Sequence, residues 1–180
     1  MRLKTLISQY FLMLVVVIAS GCSRSSDDFL QAGRTDAKNL KYDQAIKNFN
    51  RAIELDSNNA QAYLERAFMA CEIKNPVLLE TDLSKYIELT KKPLAIAYTG
   101  RALSHMLAQT NTGESLADCD KAIAIDPSNI QGYAFKKQLL IQQGDTVQLK
   151  RFLNSLDDST RSRLLQNNNN NKCRLTRRSS

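Results

Sequence analysis

Residues 45–63 read AIKNFNRAIELDSNNAQAY, and residues 115–133 read SLADCDKAIAIDPSNIQGY. Ala52-Ile53 in the first copy answers Ala122-Ile123 in the second, Asp56 answers Asp126, and Tyr63 answers Tyr133. Midway between them, AYTGRA at residues 97–102 echoes AYLERA at 62–67, so the underlying step is 35 residues. Within the first copy Ala45, Ile46, Phe49, Ala52 and Ile53 recur at helical spacing and share one face. A fixed step of this size built from such helices means helix–turn–helix units stacked in a row, because a single unit cannot bury its apolar face alone.

The stretch resembles the tetratricopeptide repeat, whose pattern runs W-x2-L-G-x2-Y, then A-x3-F, then P. Ala45-x3-Phe49 fits the second half, Ala52 follows, and Ser57 stands at the closing proline. In the later copy that proline is present as Pro127. The resemblance implies an all-α, right-handed superhelical solenoid of about four repeats, with a concave groove formed by the first helix of each. It speaks to the fold and says almost nothing about the ligand.

Taken in order, repeat one spans about residues 26–59, with Phe29 in the Trp slot, Ala32 in the Leu slot and Gly33 in the small slot. Asp36 stands where Tyr is usual, so that end is expected to pack loosely or face solvent. Asp27 or Asp28 is placed to cap its first helix, and residues 43–55 form its second. Repeat two, residues 60–93, carries Tyr63, Ala67 and Ala70, and Asn75-Pro76 opens its second helix as N-cap and first helical residue. Leu79, Leu83 and Tyr86 fill the inward slots there. Repeat three begins near Leu94 with Tyr98 and Ala102, turns at Asn111-Thr112-Gly113, and continues with Ser115, Cys119, Ala122 and Ile123. One residue beyond the family period fits in that turn.

Repeat four begins near Ile130 with Tyr133, and Lys136 and Lys137 take its Leu and small slots. Gly144-Asp145 is a helix stop and restart, with Gln148 placed to complete a capping box. Residues 159–166 form a last helix whose Leu164 and Leu165 are expected to cover the open end of the stack.

The two ends of the chain differ from this core. Arg2 and Lys4 precede an apolar run at residues 11–19, followed by small residues, which is the order of a secretory signal. Ser8, Gln9 and Tyr10 break the run short of the ~20 apolar residues that a spanning helix needs; the competing reading is an uncleaved anchor. Ala19-Ser20-Gly21-Cys22 looks like a bacterial lipobox, in which Cys22 becomes the acylated N-terminus. On the alternative reading, Cys22 is an ordinary cysteine beyond a conventional cut site. Two or more acyl chains anchor a protein stably where one does not. Ser23 after the cysteine resembles the default for outer-membrane sorting in a two-membrane bacterium. The resulting map is a signal peptide at 1–21, a tether at 22–26, a solenoid with its cap at 27–166, and a disordered Asn-rich, basic tail at 167–180.

Charge follows the same division. The formal net charge is +7, but Arg2 and Lys4 leave with the signal, and Lys172, Arg174, Arg177 and Arg178 belong to the tail. The solenoid itself is close to neutral. A basic tail can bind nucleic acid, but an exported chain would not meet any. The tail is therefore expected to be solvated, or to meet anionic lipid or cell-wall polymer.

Catalytic chemistry has little to work with. His105 is the one histidine and lies mid-helix, a structural setting. There is no metal-ligand spacing, phosphate loop or nucleophile elbow, and no cofactor or metal is expected. The carboxylates read as solvated; Asp118 and Asp120 flank Cys119 but point apart. Cys71 and Cys119 read as small apolar packing residues, and Cys173 as the reactive thiol.

Projecting the family's groove positions onto this chain gives Leu30, Arg34 and Lys38, then Leu64, Phe68 and Glu72. Thr99, Leu103 and Met106 follow in repeat three, and Gln131, Gln138 and Gln142 in repeat four. That surface, basic then apolar then amide-rich, suits a peptide with an apolar anchor and an acidic end. The expected function is a non-catalytic envelope scaffold or adaptor that binds a protein or peptide partner, held to the membrane by a lipid on Cys22. The rivals are a cell-wall-binding or enzymatic envelope lipoprotein, a secretion or pilus assembly factor, and a cytoplasmic co-chaperone module if the signal is misread.

Overall fold

A computed structural model describes residues 24–166. Among them are nine helices and no strand: α1 (Ser26–Lys38), α2 (Tyr42–Leu55), α3 (Ala60–Glu72), α4 (Pro76–Leu89), α5 (Ala95–Ala108), α6 (Thr112–Ile125), α7 (Ile130–Gln142), α8 (Thr146–Ser155) and α9 (Asp158–Gln166). From α1 to α8 consecutive helices pack against each other, α9 packs back on α7, and the first helices of neighbouring hairpins also touch, α5 against α7 and α1 against α3. The array is the all-α solenoid that the repeat period implied. No described helix is long and apolar enough to cross a membrane. The expected signal peptide, Cys22 and the tail from residue 167 lie outside the described residues.

Local chemistry explains where the helices begin. Asn59 and Asn129 occupy the same repeat position; their side chains accept from the N–H of Ala62 and Gln131 and cap α3 and α7. Asp56 and Asp126 build the turn just before: each carboxylate accepts an N–H two residues on, from Asn58 and Ser128, at 2.9 Å. The aspartates shared by the two copies are turn builders. Asn75 caps α4 with Pro76 behind it, and Asp145 caps α8 by accepting from Gln148 N–H. At α1 the expectation was wrong by two or three residues. Ser25 is the cap and Asp28 its reciprocal partner: Asp28 N–H donates to Ser25 Oγ at 3.2 Å and Ser25 N–H to Asp28 Oδ2 at 2.8 Å.

The turn inside each hairpin has one constant feature. Leu40, Lys74, Gln109 and Gly144 have φ of 59°, 57°, 55° and 70°, and each sits fourteen residues past the start of its first helix. A left-handed residue there reverses the chain, and only the fourth repeat uses glycine for it. Repeat three carries its extra residue in this turn, as expected, and Asn111 is left-handed as well. Thr112 and Gly113 are the first residues of α6 rather than part of the turn.

Small side chains let the helices approach. Ala45, Ala52, Ala62, Ala67, Ala102 and Ala122 are completely buried. Leu30, Phe49 and Met69 join the first three of these in a core at repeat one, while Leu64, Leu79, Leu83, Leu103, Phe135 and Leu139 run through repeats two to four. At the far end Leu164 is buried with Ala134 and Leu156, but Leu165 faces solvent, so one leucine of the pair forms the cap. Arg161 closes the C-terminus of α8 by donating to Leu153 O at 3.1 Å and Leu156 O at 3.0 Å. Cys71 is buried as expected, but it is disulfide-bonded rather than a free packing thiol. Cys119 is the free cysteine among the described residues.

Candidate functional site

The first helix of each hairpin, α1, α3, α5 and α7, carries the residues projected as a groove, and their exposure sorts them. Lys38, Glu72 and Gln142 are exposed; Arg34, Phe68, Met106, Gln131 and Gln138 are half-buried. Leu30, Leu64, Thr99 and Leu103 are buried, at 5%, 3%, 0% and 3% exposure. Leu64 and Leu103 belong to the largest core cluster, and the Thr99 hydroxyl donates to Ile96 O at 3.1 Å within its own helix. These four therefore serve packing in this state. Phe68 does both jobs, packing against the repeat-one core and the larger one while part of its ring stays open. Arg34 is not a free cation either: its Nε donates to Glu65 Oε1 at 2.9 Å, and Gln61 Nε2 donates to the same oxygen at 3.1 Å. The basic character expected at repeat one rests on Lys38.

The reading of the carboxylates as solvated is overturned by a polar ladder between the two helix layers. Arg66 grips Asp82 with two hydrogen bonds, Nε to Oδ2 at 2.8 Å and Nη2 to Oδ1 at 2.6 Å, and its Nη1 reaches back to Asn50 Oδ1 at 2.6 Å. Arg101 repeats this one unit on, holding Asp118 at 2.7 and 2.8 Å and reaching Ser84 Oγ at 3.3 Å. Lys136 donates to Asp120. Each cation thus sits on a first helix and contacts the second helix of the preceding repeat, while the two arginines also bond their own second helix. Asp82 and Asp118 are buried at 0% and 2%, where an unpaired carboxylate would be costly. Burial pushes the Asp82 carboxyl up while Arg66 pulls it down; its bond to Asp118 raises Arg101 above the ordinary guanidinium range.

A sequence signal for the ladder exists. Arg66, Arg101 and Lys136 stand at steps of 35 residues, in the slot where the repeat pattern has Leu. Asp118 and Asp120 do point apart, as expected, but each toward its own cation.

His105 is buried on α5, with Nε2 at 3.2 Å from Glu80 Oε1 on α4 and neither ring nitrogen in hydrogen-bond geometry. No group of three or more metal-binding side chains forms among the described residues. Burial pushes the Cys119 thiol up to about 12, which keeps it protonated and unreactive.

Comparison with known proteins agrees with this architecture. A TPR (tetratricopeptide) repeat family profile matches residues 33–69. The first TPR of Spaghetti (RPAP3), solved bound to the HSP90 peptide SRMEEVD, is similar with a TM-score of 0.62 and 19% identity, over 67% of this chain and 94% of that one. The Arabidopsis OM64 TPR domain is similar with a TM-score of 0.59 and 25% identity, over 66% and 96%. MamA from Desulfovibrio magneticus RS-1 is similar with a TM-score of 0.67 and 16% identity, over 81% and 78%. No curated protein matches the chain. The described residues form an all-helical solenoid of TPR-like repeats.

Proposed function

We propose that the protein is a membrane-tethered, non-catalytic scaffold or adaptor of a bacterial cell envelope, which holds a protein or peptide partner on its inner helices. The observation that carries this reading is the part-open row on α1, α3, α5 and α7. Phe68 on α3 and Met106 on α5 keep part of their apolar surface open, with Lys38 on α1 and Glu72 on α3 exposed near them and Gln131, Gln138 and Gln142 on α7 beyond. Apolar surface flanked by polar groups of this kind is the usual mark of an interaction site. The RPAP3 domain, with a similar fold, is bound to a peptide. The lipobox-like Ala19-Ser20-Gly21-Cys22 supports a lipid anchor on the periplasmic side of an outer membrane.

Two measurements test the two halves separately. Incorporation of a fatty-acid analogue should follow the wild-type chain and vanish in Cys22→Ala; equal labelling and membrane retention of that variant would leave an uncleaved anchor as the explanation. A photo-crosslinker at Gln138 or Glu72 should capture a defined partner in living cells, while one at Arg51 on the outer helix α2 should not. Equal capture from both faces defeats the inner-helix assignment.

A further inference from the structure

The antiparallel order of the helices sends all the connections between hairpins to one edge of the solenoid. That edge also holds Ser25, where α1 begins. Leu55 and Ile125, each the last residue of its helix, are 47% and 48% exposed there, and Leu94, the cap of α5, is 51% exposed. Between Leu55 and Ile125 the middle connection departs from the other two. In place of the Asp-led turns at Asp56 and Asp126 it reads Thr90-Lys91-Lys92-Pro93-Leu94, and both lysines are exposed. The carboxylates of Asp56 and Asp126 are turned onto their own loops by the Asn58 and Ser128 N–H groups, and Asp28 is held by Ser25.

We propose that this edge rests on the surface of an anionic phospholipid bilayer, with Leu55, Leu94 and Ile125 entering the interface and Lys91 and Lys92 meeting lipid phosphates. The inference rests on the lipidation of Cys22 put forward above. Only Ser23 and Arg24 separate Cys22 from Ser25, and a chain of that length reaches ~10 Å at most. The tether therefore holds this edge at the lipid, and places the opposite one, with Leu40 and Val77, a helix length of ~20 Å further out. Apolar side chains beside lysines are the chemistry of interfacial contact: the apolar groups enter the acyl boundary while the ammonium groups stay with the phosphates. With the edge seated in this way, the row from Phe68 to Gln138 runs along a face perpendicular to the membrane and stays open to a partner.

The chain contains no tryptophan, so one introduced residue is the sole reporter. Full-length protein carrying Leu94→Trp or Ile125→Trp is placed in phosphatidylethanolamine–phosphatidylglycerol vesicles, with or without acyl-chain bromination; Leu40→Trp and Val77→Trp mark the far edge. The near-edge reporters should lose most of their emission to the brominated lipid and shift to the blue, and the far-edge reporters should change little. Equal quenching at both edges, or the reverse pattern, overturns the orientation. Adding Lys91→Glu and Lys92→Glu to Leu94→Trp should reduce its quenching, and unchanged quenching removes the phosphate contact. Fatty-acid labelling of the same samples separates the two readings: labelled protein without an edge difference refutes the orientation alone, whereas unlabelled protein refutes the anchor and the orientation with it.

Discussion

Replacing Gly33 by alanine puts two effects of opposite sign at one position. Ala is favoured over Gly in a helix by up to ~1 kcal/mol, and Gly33 lies within α1, so propensity alone predicts a stabilised protein. The added Cβ, however, would sit 2.4 Å from Phe49 Cε1, 2.6 Å from Cδ1 and 2.9 Å from Cζ. Carbon atoms prefer ~3.5–4.0 Å, so either the ring or helix α1 must move by about an ångström. Phe49 is completely buried on α2 among Leu30, Ala45, Ala52, Ala62 and Met69, which leaves the ring no place to go. Overpacking of this kind costs ~1–3 kcal/mol, and the three contacts put Gly33→Ala toward the upper end.

After the propensity gain, a net loss of ~1–2 kcal/mol is expected. Gly113 in α6 is the control. A Cβ there meets nothing within 4 Å, so Gly113→Ala should hold stability or raise it by up to ~1 kcal/mol. Urea denaturation of both variants beside the wild-type chain reads the difference. A Gly33→Ala protein as stable as Gly113→Ala would refute the close approach of α1 to Phe49, and with it the packing of repeat one.

Three further outcomes are expected. Asp82→Ala removes two of the three hydrogen bonds that Arg66 makes and should cost ~3–5 kcal/mol in the same assay, because it leaves a largely buried guanidinium with Asn50 as its one remaining acceptor among these; a loss below ~1 kcal/mol, as for an exposed ion pair, would show the ladder to be solvated. Leu40→Gly should raise stability by ~0.5–1 kcal/mol, since the left-handed φ of 59° strains any residue with a Cβ and a side chain 70% exposed contributes little packing; a lower melting temperature contradicts the turn geometry. Cys119, with its thiol at about 12 and fully buried, should resist iodoacetamide at pH 8 in the folded protein and react once urea unfolds it. Rapid labelling in the native state would show that α6 is not seated as described.

The sequence by itself determined what depends on a few neighbouring residues or on exact recurrence. The 35-residue step placed the helix pairs, and Asn75, Pro76, Asp145 and Gly144 marked their ends, because a cap or a left-handed turn is made within about four residues of chain. Ala45 and Ala52 were legible as inward-facing for the same reason, their helical spacing putting them on one face of α2. Only the tertiary structure decided the partners. Asp82 and Asp118 looked like solvated carboxylates until Arg66 and Arg101, sixteen and seventeen residues earlier, were placed against them. Arg34 was counted as a groove cation until Glu65 on the next inner helix was found to hold it. Leu64, Thr99 and Leu103 share the projected groove positions with Phe68, yet they are buried where Phe68 is half-open. Helical periodicity fixes the direction in which a side chain leaves its own helix. Whether it then meets water, a carboxylate or another helix depends on the tilt and separation of the next repeat, which are set jointly by every small residue along the interface.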